Sequence, residues 1–457
     1  MCSGTLRGPK QAGPLGENKK MVPVVFYSLI LDLLAFTMIL PLLPALLDHY
    51  KYHDDGGLYS WILRGIDRVQ IRLNAPDRFT SVLFGGFIGS MYSFLQFLSM
   101  PIVGALSDIY GRRIMMLLCL TGVTASYLLW ALSHNFMIFV IARLVGGISK
   151  GNISLSMAII TDATLPSKRG RSMALVGIAF SIGFVLGPII GVLFSRISSG
   201  SRDDHWYVYP ALFAFSLSLV NLLYVGLSLE ETLEVDKRSK SLARGLSGTI
   251  MYINPVDLFQ FNGVNGLATD DLRRLRTLGR SYFLYLFIYS GLEFTLTFLT
   301  HHAFGFTSMQ QGYMFLVIGS TMATLQGGFV RRIPADKTKF FAEFGLWLII
   351  PAFVFIGIAG NVGVLYVGIF IFSVSTAMAV TCLSTLVTRI GPEHQKGTIT
   401  GIFRSLGALA RASGPIIASI AFWSIGSTVT YLIGAVVLAV PPLILHTVNN
   451  ENDKKKS

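Results

Sequence analysis

Apolar residues in this chain come in blocks of about twenty, not in amphipathic stripes. A helix of that length crosses about 30 Å of hydrocarbon and satisfies its own backbone hydrogen bonds. Twelve blocks can be marked, at roughly 21–47, 79–101, 114–133, 136–157, 173–194, 207–228, 281–300, 309–330, 341–359, 362–387, 398–423 and 426–446. A water-soluble core could not hide so many. The composition agrees, with 52% hydrophobic and only 13% charged residues among 457. The expectation is an all-α integral membrane protein with twelve transmembrane helices.

The formal net charge of +13 would suit nucleic acid, but its distribution points elsewhere. With spans alternating in direction, 26 of the 37 Lys and Arg fall on the side that carries both tails. Basic residues collect on the cytosolic side, so both termini are expected there, with anionic lipid as a neighbour and no nucleic-acid partner. The plasma membrane is the expected residence, with internal membranes as the alternative. The N-terminal residues 1–20 read as a cytosolic tail, and the first span is too long for a signal-peptide core. Cys2, Cys119 and Cys382 imply no disulfide framework.

A polar segment, 229–280, runs from LEETLEVDKRSK to DLRRLRTLGR and divides the chain into six-span halves, 21–228 and 281–446, followed by a tail at 447–457. It reads as a cytosolic linker with short helices. The halves repeat each other. IGSMYSFLQ (88–96) returns as IGSTMATLQ (318–326), and RGRSMALVGIAFSIGFVLGPII (169–190) matches KGTITGIFRSLGALARASGPII (396–417) at its ends. The two offsets, 230 and 227, are nearly equal, as a duplicated six-helix unit requires. Paired repeats with a site between them are a transporter architecture. In the first external loop, 48–78, Trp61, Ile62, Ile66 and Val69 could form one side of a surface helix, or the loop could pack on itself.

Three motifs carry chemistry. GALSDIYGRR follows span 2, with Gly104, Asp108, Gly111, Arg112 and Arg113. Gly104 would let helices approach, and Asp108 would cap a helix end and pair with Arg112 or Arg113. In span 5, Gly183, Gly187, Pro188 and Gly191 follow a four-residue rhythm that lets helices touch, and Pro188 bends its helix. In span 4, Arg143 precedes Gly146 and Gly147. Together these resemble the loop-2, span-5 and span-4 motifs of the major facilitator superfamily, in its drug–proton antiporter branch. The resemblance implies two pseudo-symmetric six-helix bundles, a cytosolic latch at the loop, exchange rather than symport, and a link of Arg143 to proton transfer or substrate charge. The corresponding loop of the second half, RRIPADK (331–337), keeps one acid, Asp336, among bases.

Six ionisable residues lie well inside spans: Asp32, Arg143, Lys150, Glu293, Arg404 and Arg411. Each costs about 3 kcal/mol at the bilayer centre unless paired or wetted, so they should face the interior. Arg143 and Lys150 are seven apart, as are Arg404 and Arg411, which puts each pair on one helix face. Four cations against two acids leave +2, which an organic anion would relieve. The expected substrate site is therefore Arg143, Lys150, Arg404 and Arg411, with Gln96 and Gln326 as matched polar neighbours. Asp32, ahead of Glu293, is the expected proton carrier. The competing reading pairs Asp32 with Arg143 and Glu293 with Arg411 as helix ties, with Arg404 reaching the cytosolic edge. His301 and His302, at the external end of span 7, could sense pH.

The expectation is a monomeric secondary carrier of amphipathic organic anions, drug-like compounds included, working by alternating access as a proton antiporter. A lipid or lysolipid carrier, or a non-transporting protein on this fold, is the alternative. No phosphate loop, Cys/His cluster or buried nucleophile among acids is found, so no cofactor, metal or enzyme activity is expected.

Overall fold

The computed structural model describes residues 20–53, 57–73, 80–199, 206–233, 238, 253–264, 266–390 and 396–448. They are helical, with no strand among them. The first half contains α1 (Met21–Thr37), α2 (Leu43–His53), α3 (Leu58–Leu73), α4 (Thr80–Tyr110), α5 (Arg112–Ala131), α6 (Phe136–Ser149), α7 (Asn152–Ala163), α8 (Pro166–Ser199) and α9 (Val208–Ser228). After a short α10 (Pro255–Gln260), the second half contains α11 (Thr269–Phe304), α12 (Ser308–Gly328), α13 (Thr338–Gly357), α14 (Val362–Thr388), α15 (Lys396–Ile425), α16 (Ser427–Val437) and α17 (Val440–His446). Eleven spans among the described residues are long and apolar enough to cross a membrane. The twelfth is α8, whose apolar stretch Leu175–Gly191 is shorter.

Three spans differ from the sequence reading. The first breaks at Met38–Leu42, where Pro41 and Pro44 cannot supply helix hydrogen bonds. The fourth breaks after Ser149. The seventh begins twelve residues early, so DLRRLRTLGR is helix continuous with the span, not linker. Its charges hid the helix because span-finding stops at polar residues. The external loop contains α3, held by Tyr59 stacked on Phe84 at 4.2 Å. Ile62 packs against the core and Trp61 stays 67% exposed. The side chains of Ile66 and Val69 lie outside the described ones.

The duplication is visible residue by residue. The paired segments lie on α4 and α12, and on α8 and α15; α4 packs on α15 and α12 packs on α8. A Cβ at Gly89 would meet Phe294, and one at the equivalent Gly319 would meet Val185. Gly187, before Pro188, is filled by Thr37 and the Leu34 carbonyl of α1; the equivalent Gly414, before Pro415, by the Phe287 carbonyl and Ser290 of α11. Each half therefore lays a Gly-Pro surface of one helix on its own first helix.

The α8 rhythm does what small residues at that spacing allow. Gly183, Gly187 and Gly191 lie against Leu33, Thr37 and Met38, and the Thr37 hydroxyl donates to the Gly183 carbonyl at 2.7 Å. A branched side chain at Gly187 would displace Thr37. Gly187→Val should cost about 1–3 kcal/mol of overpacking. It should lower the thermal unfolding midpoint in detergent, whereas Gly328→Ala, where an added methyl meets nothing, should leave it unchanged. Equal midpoints for both would show that the α1–α8 contact is not this close.

Candidate functional site

The opening residues of the site come from α1 and from the break between α6 and α7. Lys150 sits at that break, its N–H bonded to the Gly147 carbonyl, and α7 restarts at Asn152. The glycines on either side bring the broken span onto α4: Gly147 lies against Leu95 and the Tyr92 carbonyl, and Gly151 against Val103. From the break the Lys150 ammonium donates to both carboxylate oxygens of Asp32, each at 2.7 Å. Both side chains are 1% exposed. The ammonium also lies 5.0 Å from the Phe36 ring centroid.

This corrects two expectations. Lys150 does not continue a common face with Arg143, because the helix is interrupted at Lys150 itself. Nor is it an available cation: its charge is spent on Asp32. Asp32 in turn is tied to Lys150, not to Arg143. Two buried charges with this geometry compensate each other's lost hydration.

Arg143 is held differently. Its guanidinium carbon lies 4.4 Å from the Tyr92 ring centroid. Tyr92 stacks on Phe36 at 5.5 Å, so one aromatic pair stands between the two cations. A cation over a ring face gains attraction without using its N–H groups. Arg143 is half-buried and has no ion pair among the described residues. Tyr92 was missed on sequence because an aromatic in an apolar span gives no signal until its neighbour is known.

The second half supplies α11 and α15. Glu293 accepts a hydrogen bond from the Tyr289 hydroxyl at 3.0 Å, and Tyr289 stacks on Phe372. Arg411 faces both Glu293 and the Tyr282 hydroxyl. Tyr282 stacks on Phe403 at 3.9 Å; Arg411, unlike Arg143, is exposed and meets the tyrosine at its hydroxyl. Arg404 is exposed and reaches across to the Met157 sulfur on α7 of the other half. Gln96 and Gln326 are half-buried on the equivalent helices α4 and α12.

With Asp32 and Lys150 neutralising each other, three guanidiniums stand against one carboxylate. The excess of two charges counted on the sequence survives, but on Arg143, Arg404 and Arg411 alone.

The halves meet toward the face away from the start of α1. Ser90 accepts from the Ile416 N–H at 2.8 Å, and Gly86 takes Ser419 and the Pro415 carbonyl. Further out, Asp48 pairs with His301 at 3.1 Å and Ser81 bonds His302 at 2.9 Å. These inter-half contacts lie outward of Tyr92 and Arg411 along α4 and α15.

The motif loop lies on the opposite face. Asp108 is inside α4, not at a cap, and pairs with Arg112 at 2.7 Å. Arg112 also bonds Asp162 at 3.0 Å, and Arg113 donates to the Gly226 carbonyl at 2.8 Å. The cap of α5 is the Glu231 carboxylate, which accepts the Arg112 N–H at 2.9 Å and the Arg113 N–H at 3.3 Å. A carboxylate at a helix N-terminus satisfies orphan N–H groups and complements the dipole. Gly111, at φ +99°, leaves room for it, since a Cβ there would strike the same carboxylate. Glu231 and Asp162 were missed because each is one acid among several just outside a span. Gly104 has open space on its side-chain side: an added Cβ would have no neighbour within 4 Å. The close approach expected there is not made in this conformation.

Removing one member of the Asp32–Lys150 pair strands the other. Asp32→Asn should cost about 3–5 kcal/mol, read as a lower unfolding midpoint in detergent, and Lys150→Met should cost a similar amount. The double variant should regain much of the loss. Additive single effects would mean that the pair does not hold the two helices.

The sequence profile of the Major Facilitator Superfamily matches residues 25–415. The Homo sapiens protein called major facilitator superfamily domain-containing protein 10 is 45% identical over 435 residues, which are 94% of this chain and 93% of that one. The class B tetracycline resistance protein of Escherichia coli is 23% identical over 404 residues, 86% of each chain. The crystal structure of the human organic anion transporter MFSD10 (TETRAN) superposes with a TM-score of 0.78 at 43% identity, covering 93% of this chain and 99% of that one. Fold, motif loop and kinship agree: this chain belongs to the major facilitator superfamily, as a multi-pass membrane transporter and not an enzyme.

Proposed function

We propose that the protein carries amphipathic organic anions by alternating access, as a proton-coupled antiporter. The observation that supports this is the set of three span guanidiniums, half-buried Arg143 and exposed Arg404 and Arg411, with Glu293, which is bonded to a tyrosine and has no ion pair at bonding distance among the described residues. Their forks suit a carboxylate, sulfonate or phosphate held by two bonds. The flat faces of Tyr92 and Tyr282 beside them suit the apolar body of such a substrate. The human relative at 43% identity is an organic anion transporter by its title, which favours the same class here.

Glu293 is the better proton carrier. Its oxygen is held by a neutral phenol, so taking a proton strands no buried cation. Protonating Asp32 would leave Lys150 alone in the interior. A substrate anion would compete with Glu293 for Arg411, which gives one physical route for coupling substrate binding to the protonation state of Glu293. The conformation is read as inward-facing, with the tails in the cytosol, the plasma membrane as residence and a monomer as the working unit. Gly104 and Asp108 would close onto the second half in the outward-facing state. Lys150 and Asp32 then act as a brace, while Gln96 and Gln326 are offered as polar neighbours of the substrate.

The test is flux of radiolabelled organic anions and cations in proteoliposomes, with and without an imposed pH gradient. Arg143→Ala and Arg411→Ala should each lower anion flux by about tenfold or more, the loss of one charge-assisted contact. Glu293→Gln should lose the dependence on the pH gradient and keep anion-for-anion exchange. Gly104→Leu should fold normally and fail to transport. Cation flux that survives Arg143→Ala would overturn the anion reading, and pH-driven flux that survives Glu293→Gln would overturn its role.

A further inference from the structure

The arginines that begin α11 are not explained by transport through the centre. The helix has 36 residues, about 54 Å at 1.5 Å per residue, against about 30 Å of hydrocarbon. The excess lies at its start, where Arg273, Arg274, Arg276 and Arg280 fall within twelve residues and an apolar run follows from Ser281. The helix therefore enters the membrane near Arg280 and carries the other three arginines at head-group depth and above it.

These side chains line a groove of about 760 Å³ between α11 and the end of α17. Arg273, Arg276 and Arg280 recur at spacings of three and four, so they share one helix face. Asp270 is the one acid in the lining, and Leu272, Ile444 and Val448 give it an apolar wall. Arg276 donates to the Gln260 carbonyl at 2.9 Å, which fixes α10 beside the groove. Arg273, Arg274 and Arg280 have no ion pair among the described residues. Like charges three and four apart on a helix repel, and an anion seated among them would relieve that repulsion.

We propose that this groove binds the phosphorylated head group of an anionic lipid from the leaflet on the tail side. Guanidinium forks bind phosphate through paired hydrogen bonds. A basic recess between helices at the membrane surface, with an apolar wall, fits a phosphate that is joined to acyl chains. A soluble phosphate would share the chemistry without needing the wall.

The full-length protein in phosphatidylcholine nanodiscs would be titrated with a fluorescent phosphatidylinositol 4,5-bisphosphate, and separately with inositol trisphosphate. Saturable lipid binding is expected, weakened about tenfold or more by Arg273→Gln/Arg280→Gln, as for the loss of one charge-assisted contact. Both side chains are exposed, so an unchanged unfolding midpoint serves as the check on folding. Arg331→Gln/Arg332→Gln removes the same charge from another loop on the same face and should change binding by less than about twofold, as a surface charge beyond the site. Equal losses in the two double variants, or no saturable binding, would overturn the site. Inositol trisphosphate binding as tightly as the lipid would overturn the lipid as its source.

Discussion

An ionised group in hydrocarbon must be paired, wetted or braced, and the interior of this protein is arranged by that demand. The Asp32–Lys150 pair meets it by pairing: two bonds of 2.7 Å, no solvent, and a helix broken to let the lysine reach α1. The break is possible because Gly146, Gly147 and Gly151 give the span little helical preference and a close seat on α4. Arg143 meets the demand by bracing on the ring of Tyr92, which is itself stacked on Phe36, while Arg411 is exposed and meets the Tyr282 hydroxyl. An aromatic face lowers the cost of the cation and leaves its hydrogen-bond donors free. That difference separates charges that hold the fold from charges that can meet a ligand.

The same device, glycine at a close helix approach, joins helices within each half and between the halves. Inside a half, Gly187 and Gly414 bring helices to backbone contact, with hydroxyls of Thr37 and Ser290 in the space a side chain would fill. Such surfaces cannot slide without clashes. Between halves, α4 packs on α15 and α12 on α8, with Gly86 on Ser419, Gly89 on Phe294 and Gly319 on Val185. Polar contacts join them on the outer side: the Ser90 hydroxyl on Ile416, and the imidazoles of His301 and His302 against Asp48 and Ser81. Rocking of one bundle against the other in this fold has to separate these contacts.

The fold was legible because hydrocarbon imposes it. Blocks of apolar residues located the spans, equal offsets located the duplication, and the glycine rhythm of α8 marked a close helix contact without naming α1 as the partner. Legibility failed where a helix leaves the hydrocarbon or is interrupted within it. The start of α11 reads as linker because its arginines carry the signature of a loop, yet its backbone is helix. The Lys150 break looks like an uninterrupted apolar helix, and no periodicity reveals that one residue turns aside. The six charges were conspicuous because each lies in a span, yet Arg404 and Arg411 are exposed and the partner of Asp32 is Lys150, not Arg143. Pairing depends on which helices adjoin, and Tyr92, Tyr282, Asp162 and Glu231 are ordinary residues until the packing is known.

The two halves hold the carboxylates of their first spans in different ways. Each places one carboxylate on its first span, Asp32 on α1 and Glu293 on α11. In the first half the partner is a lysine at bonding distance, so the carboxylate is committed and changing its charge would dismantle the packing of α1 on α7. In the second half the bonded partner is a tyrosine, and the nearest arginine is also the one that a substrate would claim. A carboxylate balanced between burial and a competed cation responds to substrate; a carboxylate locked to its own lysine does not. On the proposed reading, the symmetry of the fold has been used to build one brace and one proton site, and it is the identity of the neighbour, not of the acid, that distinguishes them.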